Sequence, residues 1–495
     1  MGGHGMQTVE LLDGEPERPH EDVLEAARSR RRLRWWLVGP AVLLVVVLGA
    51  VQWVLRSREE AQITRLAAVD GVVAQVDGPL DVRRRYSEAD ARLLFGSQGS
   101  ELVRGADGSL TYEWRTDSGG DPLWSRQLLG PVPALAGALS VFGASRCEPD
   151  VGPDADVSSA TRVVCLVTDG GVKTLDTDGS AELVAATTAF VEVLDTATGT
   201  PLAHWPAPSA QTFTLLGGQI VVGAAEQAAD VFTSRAVLTG EIRWTHVVPI
   251  ASGEVAADLT WRQIDASRAG ELVALRTSTG DVQLVSADGQ VVRDWSGDQG
   301  SSRGVEVDPT GRIILESWDA AGSETVTILT SDGHTSAVGT LQGALLSAQV
   351  DDGSVRLLLT TDQALHAWDP DTGSQRWSST EVSGGASSVL VVRGHLYVLG
   401  SGGVAALDGR TGATLWRMRP DRGLMPAMLL TDAHHLLVGY EPSAGDAEPL
   451  LVAYDFEGGT EVSRAPYPDG IDHLAIWGGK LIGYGDASGE LAELG

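Results

Sequence analysis

The chain has 495 residues, with 36 Lys+Arg against 66 Asp+Glu and a formal net charge of −30. That length is too great for one ordinary core and calls for several domains or one large repeat architecture. The acid excess excludes a chain built mainly to grip nucleic acid, which needs clustered Lys and Arg. At 43% hydrophobic and 21% charged the chain is a folded protein, and its 60 glycines favour tight turns over long helices. Lys occurs only at 173 and 480, and the absence of Asn removes N-glycosylation and any site needing an Asn ligand.

Residues 1–34 mix acidic and basic side chains and read as a largely disordered cytoplasmic tail, with a short helix expected over 21–33. Residues 35–55, WWLVGPAVLLVVVLGAVQWVL, are apolar except for Gln52, and about 20 such residues span the hydrocarbon core as a helix. Trp35, Trp36 and Trp53 sit at its ends, where indoles favour the interface. Arg28, Arg30, Arg31, Arg32 and Arg34 precede the run and only Arg56 and Arg58 follow it closely, so the tail stays inside and the rest is exported. The polar prefix and the lack of a small-residue cleavage site after the run favour a retained single-pass anchor over a signal peptide. A linker over 56–64 then leads into an extracytoplasmic body at 65–495 that carries nearly all of the acidity.

Cys147 and Cys165 bracket an acidic insertion containing Pro and Gly in the exported part. Outside the cytoplasm such a pair is normally a disulfide, and closing that loop contributes about 3 kcal/mol by the chain-entropy estimate. From residue 90 onward the texture is strand and turn: short apolar stretches broken by Gly, Asp, Ser or Thr. The chain also repeats itself. LHAWDPDTGSQRW (365–377) and VAALDGRTGATLW (404–416) are the clearest copies, beside VEVLDTATGTPLAHW (191–205) and LVAYDFEGGTEVS (451–463). Each copy is a strand, a turn closed by Gly, and a strand that often ends in Trp.

The turn glycines are Gly120, Gly199, Gly240, Gly289, Gly333, Gly373, Gly412 and Gly459. Trp follows four residues later at Trp124, Trp244, Trp377 and Trp416, and six later at Trp205 and Trp295. An all-strand repeat of about 40–45 residues implies one four-stranded sheet per repeat, and such sheets bury both faces only by stacking radially. The glycine count predicts eight blades, with seven as the alternative, and 480–494 is expected to close the ring against 72–86.

The pattern D-x-[DT]-x-G-x-x-x-W at Asp369–Trp377 and Asp408–Trp416 resembles the PQQ-type, quinoprotein-like β-propeller repeat, over nearly all of residues 65–495. The resemblance implies that each motif Trp docks between neighbouring blades and that the Asp/Thr/Gly turn rigidifies its blade. It also raises a quinone- and calcium-dependent dehydrogenase, which typically holds its metal with Glu, Asn and Asp and often carries two adjacent cysteines. This chain has no Asn, and its two cysteines lie far apart. His434-His435 reads as strand, with the two side chains on opposite faces. Asp369-x-Asp371-x-Gly373 and Asp176-x-Asp178-Gly179 lack the acid that completes a calcium loop.

No catalytic, cofactor or metal residue is therefore assigned. The expected protein is an all-β propeller behind one transmembrane helix, anchored in the cytoplasmic membrane. It works as a binding or scaffolding module for an envelope protein, similar to the non-enzymatic BamB-like class of outer-membrane assembly subunits. The alternatives are a quinone-dependent enzyme and a ligand sensor signalling through the tail. Partner contacts are expected at 145–161, 225–231 and 441–449.

Overall fold

The computed structural model describes residues 47–495 except 49, 55, 77, 87–99, 116–120, 139, 143–144, 153–158, 175–180, 227, 251–263, 296–301, 309, 320–322, 382–384, 420–422, 444–446 and 486–490. Two compact units emerge, 1–65 and 66–495. In the first, the described residues from 47 onward are helical, with Val47, Leu48, Val51 and Trp53 exposed. Among the described residues no helix is long and apolar enough to cross a membrane, and 35–46 of the expected span lie outside them. The tail at 1–34 also lies outside the described residues.

The second unit is a series of small antiparallel sheets in which strands adjacent in sequence are adjacent in space. Blade 3 is typical, pairing Ala210–Leu216, Gln219–Ala225, Ala229–Ala236 and Ile242–Pro249 in order. Its composition follows from its position. The middle strands lie between neighbouring blades, so both their faces are covered and they read as near-continuous apolar runs. In blade 2, Val163 to Val167 on Arg162–Thr168 are all fully buried. Fourth strands lie at the rim and alternate, as in Ile242–Pro249, where every second residue is exposed.

The eight glycine turns belong to eight such blades, of which blade 1 shows three described strands, Ser100–Arg104, Leu110–Trp114 and Trp124–Leu129. Gly120 lies outside the described residues. One further sheet joins them. His473–Trp477, Lys480–Tyr484 and Leu491–Leu494 are completed by Val82–Tyr86, which pairs with Leu491–Leu494. The expected closure of the two ends against each other is thus present, but as a sheet separate from all eight. The described strands therefore give nine blade sheets against the eight of the glycine count, beside one small sheet within blade 2. The reason is topological: the motif turn joins the third strand of a blade to the fourth, and here those strands come from opposite ends of the chain.

A small three-stranded sheet, Ser140–Phe142, Gly171–Thr174 and Ala181–Val184, interrupts blade 2 and accounts for its long glycine interval. Within blade 2, Cys147 and Cys165 are directly opposite each other on Arg146–Pro149 and Arg162–Thr168 and form the disulfide.

Candidate functional site

The motif turns are held by local chemistry. Asp408 accepts hydrogen bonds from the backbone N–H groups of Arg410 and Thr411 and from the Thr411 hydroxyl. Asp369 does the same for Asp371 and Thr372, and Asp455 for Gly458 and Thr460. These carboxylates are spent on their own turns. The Thr411 hydroxyl, followed by the turn N–H groups, holds Asp408 below the usual carboxylate range. Arg376 is the main cause of the same effect at Asp369.

Five of the turn glycines receive the Trp of the preceding blade. Trp124 lies on Gly199, Trp205 on Gly240, Trp244 on Gly289, Trp377 on Gly412 and Trp416 on Gly459. In the same order the indole N–H donates to the carbonyls of Thr196, Val237, Ala287, Gly409 and Phe456, at 2.7, 3.1, 3.0, 3.0 and 3.1 Å. A Cβ at Gly412 would lie 2.6 Å from the Trp377 ring, and its φ of +70° lies in the left-handed region. The docking expected of the motif Trp therefore holds at five positions and fails at Trp295. There Val292 faces Gly333, while Trp295 packs against the cluster of Ala269, Leu272, Ala274, Leu284, Ile313 and Leu329 under the Arg293 guanidinium. At Gly373 the neighbour is the Val338 backbone, because the fourth strand of blade 5 carries no Trp.

The other sequence candidates disperse. His434 and His435 occupy a turn rather than the expected strand, because Ala433 takes a φ of +70° and Asp432 accepts from both histidine N–H groups. The Asp176 loop lies outside the described residues. Among the described residues no group of three His, Cys, Asp or Glu side chains is placed to hold a metal. Segment 225–231 is a hairpin tip rather than a loop, with Glu226 N–H bonded to the Ala229 carbonyl.

What the structure does build is a cavity of about 660 Å³ that no motif announced. The chain entering the body at 67–72 crosses the first strands of the last blades as a strap. Val73 N–H donates to the Thr431 carbonyl and Val76 N–H to the Asp432 carboxylate, at 3.0 and 3.2 Å. Val73, Val76 and Leu80 are buried among the side chains of blade 8 and the closing sheet. Gly71 comes so close to Gln349 that a Cβ there would lie 2.5 Å from the Gln349 carbonyl. Gln349 is itself fixed by donating its N–H to Val389, where Val350–Asp351 adds a parallel strand to the first strand of blade 7.

Under the strap the walls are Val69, Met428 and Ile476, and the Gly478-Gly479 hairpin forms one side. Asp70 and Gln349 are exposed at this cavity, and neither side chain has a hydrogen-bond or ion-pair partner among the described residues. None of the three segments expected to carry partner contacts contributes to it. Sequence pattern could not have found it, since its residues are ordinary ones gathered from four distant stretches.

A family described as outer membrane protein assembly factor BamB matches residues 305–471, which span blades 5 to 8. Together with the sheets, this match supports the PQQ-like β-propeller expected from the repeat. No curated protein matches. Among solved structures, BamB from Moraxella catarrhalis is 17% identical, covering 72% of this chain and 99% of its own, with a TM-score of 0.31. The computationally designed Ika8 protein is 12% identical over 86% of this chain and 99% of its own, with a TM-score of 0.29. The dihydro-heme d1 dehydrogenase NirN in complex with DHE is 14% identical over 82% of this chain and 79% of its own, with a TM-score of 0.31. At such scores no shared function follows.

Proposed function

We propose that this protein is a membrane-anchored, extracytoplasmic β-propeller that binds an envelope protein as a scaffold and carries no catalytic activity. The observation that carries the reading is the pairing of a repeated sheet frame with a partly apolar cavity whose two polar side chains, Asp70 and Gln349, have no partner among the described residues. The match to an assembly-factor family supports a protein partner. The apolar run at 35–55, with its terminal Trp residues and preceding arginines, supports the anchor and its orientation. The missing Asn and the separated cysteines speak against the quinone enzyme.

The test is photo-crosslinking in cells of the native host, with a benzophenone side chain placed in turn at exposed Ala68, Ser443 and Val462. A discrete adduct with one envelope protein is expected from at least one position. No adduct from any position, together with a melting temperature raised by PQQ plus calcium, would replace the scaffold with the enzyme, because a ligand of the native state raises apparent stability. Protease added outside the cytoplasmic membrane should cut the propeller and spare residues 1–34; the reverse pattern would overturn the orientation.

A further inference from the structure

Resting on the protein-binding reading, we propose that the cavity beneath the 67–72 strap is an anchor site for an extended basic segment of the partner, which inserts one apolar side chain. At about 660 Å³ the space takes a large side chain together with some of the backbone that presents it. Val69, Met428 and Ile476 supply apolar surface. On the Gly478-Gly479 side the room exists because side chains are missing: a Cβ at Gly478 would meet nothing within 4 Å.

The polar groups specify the rest. Asp70 offers a carboxylate and Gln349 an amide, the combination that receives a cationic side chain and a peptide backbone. A purely apolar ligand would satisfy the walls but cover both polar groups without giving them a partner, which costs binding energy. A net charge of −30 draws basic segments toward the surface and repels acidic ones.

The experiment uses the full chain in lipid nanodiscs and fluorescein-labelled Lys-Leu-Lys-Leu-Lys, with Lys-Ser-Lys-Ser-Lys and Glu-Leu-Glu-Leu-Glu as comparison probes, read by anisotropy. Only the first is expected to bind appreciably. Ala68→Trp, which fills the cavity from an exposed strap position, and Asp70→Lys, which reverses its charge, should each weaken that binding about tenfold or more. Val247→Ser, on the fourth strand of blade 3, should leave it unchanged. Should Ala68→Trp lower the melting temperature, Asp70→Lys carries the test alone.

Equal binding of the acidic peptide would overturn the charge argument. Binding that survives both cavity substitutions would overturn the site while leaving a protein-binding propeller that uses another surface. Absence of binding by any peptide overturns the proposal, and the crosslinking outcome then decides the broader reading separately.

Discussion

At the scale of single residues, stability rests on a contact that two positions share. Gly412 supplies a left-handed turn with no side chain, and Trp377 fills the place a side chain would take. Gly412→Ala should cost about 1–2 kcal/mol for the backbone alone, before the ring is displaced. Trp377 is buried, so Trp377→Ala should cost about 3–5 kcal/mol. Because both substitutions break one contact, urea denaturation of the double variant should show less than the sum of the two; strict additivity would mean the indole is not held by the turn.

Asp408 adds a pH dependence of known sign. Its folded-state acidity is raised, with the Thr411 hydroxyl as the leading cause. The carboxylate therefore contributes stability above its unfolded value, about 3.9, and that contribution is lost as pH falls through the lower folded value. The melting temperature of Asp408→Asn should fall less steeply than that of the parent between about pH 6 and about pH 2. Parallel curves would show that the turn does not depend on the charge.

At the scale of elements, blade 5 is the weak member. Its turn glycine receives no indole from blade 4, and its fourth strand offers none to blade 6. It also gathers like charge: burial first, then Glu306 and Glu324, raise the Glu316 carboxyl above its ordinary value. A carboxyl shifted that way detracts from stability as pH rises from the ordinary Glu range through the raised value, so at neutral pH the penalty is present. Backbone amides of Ile313–Trp318 should exchange with solvent faster than those of His395–Gly400 in blade 7. Glu316→Gln at pH 7 should slow them; no change would relieve the acidic residues of the blame.

Blade 2 has the opposite character, because the Cys147–Cys165 bond ties two paired strands across the insertion. Replacing both cysteines with Ala should cost about 3 kcal/mol, seen as a lower denaturation midpoint in the absence of reductant. A midpoint that does not move would place the bond outside the stability of the fold.

At the scale of the whole molecule, the repeat was legible because glycine and tryptophan are chemically demanding. Only glycine fits Gly199 or Gly412 without strain, and a buried indole needs both area and an acceptor. Trp295 stands six residues after Gly289, the spacing of Trp205 after Gly199, yet only Trp205 docks on the next turn. That outcome depends on which side chain of the fourth strand meets the following blade, and at blade 4 it is Val292. The extra sheet escaped the count because no turn joins Leu491–Leu494 to Val82–Tyr86. The cavity escaped too: Val69, Gln349, Met428 and Ile476 carry no signature, and only the path of the chain brings them together.

The indole contacts all point the same way along the chain, from Trp124 to the turn at Gly199 and finally from Trp416 to the turn at Gly459. Growth therefore has a polarity. A polypeptide that emerges from its amino end leaves the newest Trp bare until the next repeat arrives to cover it, and that repeat then presents a bare Trp of its own. Over blades 1 to 4, and again over blades 6 to 8, the incomplete molecule keeps one adhesive end, the advancing one. Val82–Tyr86 waits longer than any of these, since its partner strand, Leu491–Leu494, is made only after the eight glycine-turn blades that lie between the two in sequence. Chains cut short within the indole-bearing blades would end on an uncovered aromatic side chain, a mark by which quality control could tell fragments from finished protein.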